Sequence, residues 1–307
     1  MSAPPEPGVT RCSVVSEIHH GTVVADLRTA GCVFAEEEAG LLMEAASTAD
    51  ELDALVARRV AGLPLEQVLG WAEFRGLRIS VDPGVFVPRR GTELLVSLSL
   101  ERAPARAVVV DLCCGSGAIG TALAVELDGA EVYGVEVDPT AVPSARRNLE
   151  AVGGHVLEGD LYGPLPADLR GRVDLVVACA PYVPSDSVRL MPPEARLHEP
   201  LTALDGGTDG LEVVRRVVEG APPWLASGGQ VILETSRGQA SLVVRSFDAV
   251  GMASEVATDP ERGATAVIGM HLPVRIVGTG QKRLPARGSG RLRWPRRAGR
   301  RPEEPIL

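Results

Sequence analysis

Aromatic residues are scarce in this chain, 3% of its 307 positions. That argues against the aromatic stacking platforms that read single-stranded nucleic acid. Cysteine is sparser still. Cys12, Cys32, Cys113, Cys114 and Cys179 are odd in number and show no metal-ligand spacing. The expectation is a reduced, cytoplasmic protein without disulfides and without a metal site. No apolar run approaches the ~20 residues that cross a bilayer, and residues 1–8 lack the apolar core of a signal peptide, so no membrane partner is expected.

What the chain does have is apolar content, 45% of residues, enough for one full α/β domain and a smaller unit. Its charge is unevenly spread. Residues 275–307 carry ten Lys or Arg against two Glu, a net +8, which leaves −17 of the overall −9 on the rest. Residues 1–10 are Pro-rich and 272–307 are rich in Arg, Gly and Pro, so both ends are expected to be disordered. The basic tail also offers a weak, nonspecific contact to RNA.

Between the ends the patterning changes three times. Residues 11–72 read as a small helical domain, with amphipathic helices over 35–46 and 48–61. A capping box from Thr48 to Glu51 opens the second, and Leu52, Leu55, Val56 and Val60 form its apolar stripe. Residues 73–103 read as a strand-rich connector, which begins near Leu63, followed by a helix that Thr92 caps. From 104 to 271 strands and helices alternate, the pattern of a doubly wound, mostly parallel sheet.

The rest is organised around residues 108–120, Val-Val-Val-Asp-Leu-Cys-Cys-Gly-Ser-Gly-Ala-Ile-Gly. A β-branched strand ends in Asp111, a glycine turn follows, and a helix begins at Ala118. Gly115 and Gly117 permit positive φ and a close backbone approach by a ligand, beside the unsatisfied N–H groups of the new helix. Gly115, Gly117 and Gly120 also satisfy the dinucleotide fingerprint. The Asp111 carboxylate weighs the other way, because it repels a pyrophosphate and attracts a ligand carrying an ammonium and a sulfonium. S-adenosyl-L-methionine is such a ligand, and a nicotinamide cofactor is the rival. Glu136, closing the next strand, can accept hydrogen bonds from ribose hydroxyls in either. Asp160 closes a third strand, and Cys179-Ala180-Pro181-Tyr182 follow the apolar strand over 173–178. All fall at strand carboxyl ends, where open α/β sheets bind ligands.

The ordered segments 64–70 (Pro-Leu-Glu-Gln-Val-Leu-Gly), 73–76 (Glu-Phe-Arg-Gly), 86–89 (Phe-Val-Pro-Arg), 92–96 (Thr-Glu-Leu-Leu-Val), 111–117, 180–182 (Ala-Pro-Tyr) and 198–207 (His-Glu-Pro-Leu-Thr-Ala-Leu-Asp-Gly-Gly) resemble the HemK/PrmC family. Members of that family are protein-(glutamine-N5) methyltransferases that use S-adenosylmethionine to modify release factors. The resemblance covers about residues 30–271. It implies a class I, Rossmann-like methyltransferase fold and a release-factor protein substrate. It implies further that Asp111 with Cys113, Cys114, Gly115, Ser116 and Gly117 holds the methionine end of the donor. Glu136 would take the ribose, Asp160 and Leu161 would border the adenine, and Phe86 would line the glutamine pocket.

The family has Asn-Pro-Pro-Tyr where this chain has Cys179-Ala180-Pro181-Tyr182. In the family pattern the Asn side-chain oxygen and a neighbouring backbone carbonyl accept the two N–H bonds of the substrate amide, so that its lone pair faces the methyl carbon. Tyr182 would offer its ring face to the charge that passes to nitrogen. A thiol is a weak acceptor. The substitution implies a weakened enzyme, an altered acceptor, or a noncatalytic donor-binding partner of a release factor. An adenine N6-methyltransferase shares the amine-positioning logic and is the main rival, opposed by the acidic body and the scarcity of aromatics.

Overall fold

The computed structural model describes residues 10–271. The expected disorder of both ends and the RNA contact of the tail lie outside these residues. Helices α1 (Thr10–Thr29), α2 (Ala35–Ala45) and α3 (Ala49–Val60) gather around Leu27, Leu42, Leu52 and Val56. Thr48 Oγ1 accepts from the Glu51 N–H at 3.2 Å, and Glu51 returns a carboxylate oxygen to the N–H of Ser47 at 2.8 Å, closing the expected box one residue early. The predicted stripe is corrected at its end. Val60 is 43% exposed, and Arg59 is buried in its place. The Arg59 guanidinium meets both oxygens of Glu38, at 2.6 and 3.2 Å, and the Leu63 carbonyl at 2.9 Å. A charge that finds this many acceptors can be buried against the apolar period.

The connector is less stranded than its composition predicts. Residues 65–69 form a short helix, α4 (Leu65–Leu69), and only β1 (Trp71–Phe74) and β2 (Leu77–Ser80) pair, as a hairpin turning at Gly76. The hairpin already begins inside the segment read as helical. Thr92 is not a helix cap. It ends a 3₁₀ turn, Arg90–Thr92, with helical φ and ψ, and its side chain makes no capping bond to α5 (Glu93–Arg102).

The sheet contains β3 (Val108–Leu112), β4 (Glu131–Glu136), β5 (His155–Glu158), β6 (Val173–Ala178), β7 (Leu225–Glu234), β8 (Ala253–Asp259) and β9 (Ala264–Met270), in spatial order β5-β4-β3-β6-β7-β9-β8. The first five run parallel, and β9 lies antiparallel between β7 and β8. Every residue of β3 is buried, because the sheet is covered twice. Val109 packs with α5, α6 (Ala118–Glu126) and α7 (Val142–Leu149). After β6 come three short helices, α8 (Ser185–Val188), α9 (Pro193–His198) and α10 (Leu201–Leu204), then α11 (Glu212–Gly220) and α12 (Ala240–Ala249). Val108, Val110 and Leu112 pack on the face that α11 and α12 cover. This is the doubly wound, class I methyltransferase arrangement. Strand β8 was not legible beforehand, since Ala-Ser-Glu-Val-Ala-Thr-Asp is a polar edge strand with mostly solvated side chains.

The winding reverses between β3 and β6. From β3 the chain steps outward to β4 and β5, then returns to pair β6 on the other side of β3. The crevice above the carboxyl ends of β3 and β6 is where such sheets bind ligands.

Candidate active site

A cavity of about 490 Å³ opens at this reversal. Its donor end is built by the turn after β3. Cys113, Gly115 and Gly117 all take positive φ, at 55°, 55° and 78°. For Cys113 that left-handed backbone costs about 1 kcal/mol, held in place by the surrounding bonds. The N–H of Cys114 reaches the Val135 carbonyl at 3.1 Å, and that of Gly117 reaches the Cys114 carbonyl at 2.7 Å. The Gly115 N–H donates to Glu136 at 2.7 Å, while the other Glu136 oxygen accepts from Asp138 at 2.8 Å. Burial pushes the Glu136 carboxyl up, and these backbone donors pull it down.

Cys113, Cys114, Gly115 and Ser116 line the cavity, as do Glu136, Asp160 and Leu161. Two residues assigned to the same wall stand behind it. Asp111 is fully buried and not on the lining; its Oδ2 accepts the Gly120 N–H at 2.8 Å, while Oδ1 has no partner among the described residues. Burial pushes its carboxyl up to about 7. Gly117 is also off the wall. A Cβ there would lie 3.2 Å from the Ala145 Cα, so this glycine serves the packing of the turn on α7, and only Gly115 opens on free space. Asn148 ties the same parts together, donating to the carbonyls of Ser116 at 2.8 Å and Ser80 at 2.9 Å. Asp160 pairs with Arg216 of α11, which lines the cavity and was not foreseen.

The acceptor end is walled by Phe86, Pro88, Thr92, Cys179, Pro181 and Pro200. Its parts come from far apart in sequence. The Glu199 side chain is fully buried and takes Arg89 on both oxygens at 2.6 Å and the Val87 N–H at 3.2 Å. Arg89 in turn lies 4.7 Å above the Phe86 ring. Gln67 donates to the carbonyls of Val85 at 2.9 Å and His198 at 3.2 Å, and accepts from Gly84 at 3.2 Å. His198 thus contributes backbone to a brace between α4, the 84–89 loop and α9. None of Glu199, Gln67 or Arg89 was singled out beforehand; each lay inside a recognised segment, but the pairing signal is long-range.

Within the substrate motif, Cys179 and Pro181 face the cavity, and Ala180 and Tyr182 do not line it. Tyr182 instead donates its hydroxyl to Glu234, at the end of β7, at 3.3 Å. Tyr182, whose ring face was expected at the reacting nitrogen, is thus not part of the cavity wall. Burial and the neighbouring Glu234 push the Cys179 thiol up, so it stays protonated and is not a nucleophile.

The site therefore joins an anionic, amide-lined pocket to an apolar one with few polar groups. A Methyltransferase small domain family model matches residues 76–191. The chain is 42% identical over 217 residues to the release factor glutamine methyltransferase of Geobacter sulfurreducens, covering 70% of this chain and 75% of that one. It is 44% identical over 184 residues to the release factor glutamine methyltransferase of Streptomyces coelicolor, covering 59% and 65%. The 4-amino-L-phenylalanine/4-methylamino-L-phenylalanine methyltransferase of Streptomyces pristinaespiralis is 36% identical over 212 residues, covering 67% and 72%. With a two-ended cavity at the switch point of a class I sheet and a likeness that spans three quarters of such a relative, the chain belongs to the release factor glutamine methyltransferase family.

Proposed function

We propose that this methyltransferase uses S-adenosyl-L-methionine to methylate the side-chain amide nitrogen of a glutamine in a peptide chain release factor. The observation that carries the reading is a single cavity walled at one end by residues 113–116 and Glu136 and at the other by Phe86, Cys179 and Pro181. The donor fits this lining. The Glu136 carboxyl on the wall and the Asp111 carboxyl just behind it, whose Oδ1 is unpartnered among the described residues, complement a cationic ligand, and the turn at Gly115 gives it room. Bound there, the donor supplies an electrophilic methyl group on a sulfonium. Glu136 retains free lone pairs for ribose hydroxyls, and Asp160 with Leu161 borders the base. At the other end, apolar walls exclude water and confine the amide while the 179–181 backbone and its neighbours hold its N–H bonds. No base is needed before transfer, since the proton can leave the nitrogen afterward.

One observation favours a second acceptor. Cys179 removes the strong acceptor that a delocalised amide nitrogen needs, and an aromatic amine of an amino acid, more nucleophilic, needs it less. The experiment incubates the full chain with donor and either purified release factor or 4-amino-L-phenylalanine, and reads products by mass spectrometry. One added methyl on a release-factor glutamine is the expected result. Methylation of the small amine alone establishes the second reading, and donor binding without any transfer overturns both.

A further inference from the structure

The motif position that should accept a substrate N–H holds a thiol, yet a stronger acceptor stands next to it. Thr92 is 4% exposed, lines the cavity, and has a hydroxyl spent on no helix cap. Among the described residues its hydroxyl has one hydrogen-bond partner, the Cys179 sulfur, at 3.9 Å. That is long even for sulfur and commits the hydroxyl weakly. The lone pairs of a buried hydroxyl on the cavity wall are left to a ligand.

From this geometry we infer that Thr92 Oγ1 is the substrate N–H acceptor in this chain, the role having moved one side chain away from the motif position that Cys179 occupies. Cys179 acts as its orienter. Burial and the Glu234 charge keep the thiol protonated, and its sulfur is the one hydrogen-bond partner of the Thr92 hydroxyl among the described residues, so it can receive that hydroxyl's proton. With its proton turned toward sulfur, the Thr92 oxygen presents its lone pairs to the cavity. Tyr182 donates its hydroxyl to that Glu234 side chain from off the cavity wall. The inference rests on the proposed amide acceptor and names the residue that makes it workable without asparagine.

The test uses the full chain, a synthetic peptide carrying the acceptor glutamine, and two readouts: turnover with labelled donor, and peptide affinity in the presence of S-adenosylhomocysteine. Thr92→Val keeps the shape and removes the acceptor. It is expected to lower turnover about tenfold to a hundredfold and to weaken peptide binding in parallel, with donor affinity and melting temperature held. Thr92→Ser, which keeps the hydroxyl, restores most of the loss, as a merely structural role would not require. In a Cys179→Asn background the Thr92→Val penalty shrinks several-fold, because asparagine supplies a competing acceptor. Equal turnover and equal peptide affinity for wild type and Thr92→Val, or an undiminished penalty beside asparagine, overturns the inference and leaves the function standing. Failure of the wild-type chain to bind or methylate any glutamine peptide removes the function and the inference with it.

Discussion

The two ends of the cavity are built on different principles. At the donor end, residues 108–120 and 131–138 supply most of the groups and of the scaffold, and backbone N–H groups of Gly115, Asp138 and Gly120 fix the two carboxylates. At the acceptor end, side chains reach across 110 positions from Arg89 to Glu199 and 131 from Gln67 to His198. A site held by contiguous backbone changes little when one side chain is replaced. A site stitched by remote side chains comes apart at a single stitch.

Glu199 tests that contrast with the largest expected effect. Glu199→Ala removes the buried carboxylate that anchors Arg89 and the Val87 N–H, freeing the Phe86 wall. Misplacement of a positioning wall by about 1 Å costs on the order of a hundredfold, so kcat/KM for the protein acceptor should fall about a hundredfold while donor affinity stays within about twofold. Glu199→Gln keeps an acceptor for Val87 and should lose less. Steady-state kinetics paired with donor calorimetry check this; an equal loss at both ends would mean that the two are not built independently.

The same contrast explains what the sequence could disclose. The donor end was legible because a β-branched strand, a glycine turn and a helix lie in one window of thirteen residues, and Glu136 follows at the end of the next strand. The acceptor end was legible only through ordered segments with no local reason to meet. Thr92 misled because a threonine ahead of a helix is the ordinary sign of a cap, whereas a 3₁₀ turn here starts the helical backbone earlier and leaves the hydroxyl to the cavity. Arg59 misled in the same way: apolar period cannot show that Glu38 waits 21 positions upstream. Asp111 was found, but its location behind the wall was not, since the Gly120 N–H that holds it there belongs to the fold of the turn.

That buried Asp111 sharpens the comparison through pH. Its carboxyl is raised by burial from an ordinary 3.8 to about 7, so without ligand it holds a proton below that pH. A raised acid stabilises the fold fully below its unfolded pKa, and the contribution is lost as pH climbs through about 7. The ligand-free Asp111→Asn variant should therefore melt higher than wild type at pH 8, with the difference closing near pH 4. A cationic donor favours the ionised form, so wild-type donor affinity should rise with pH up to about 7, by at most roughly tenfold per unit, and then level off. Asp111→Asn should bind the donor more weakly at pH 8 and show a flat profile. Parallel profiles for the two proteins would remove Asp111 from donor binding and leave it as a prop for the turn.

The smallest effect is expected at Arg216, where the donor end uses an exposed side-chain ion pair. Arg216 and Asp160 are both more than half exposed, and an ion pair in that setting contributes between nothing and about 1 kcal/mol. Removing Arg216 has two opposed consequences for the base pocket. The lining loses the part of its wall that the guanidinium stem covers, and Asp160 gains freedom to accept from the exocyclic amine of adenine. Arg216→Ala should consequently change donor affinity by less than about fivefold and leave acceptor KM unmoved, measured by calorimetry and kinetics in low and high salt. A larger loss that salt does not soften would place the guanidinium on the ligand itself, and the donor end would then depend on a remote side chain as much as the acceptor end does.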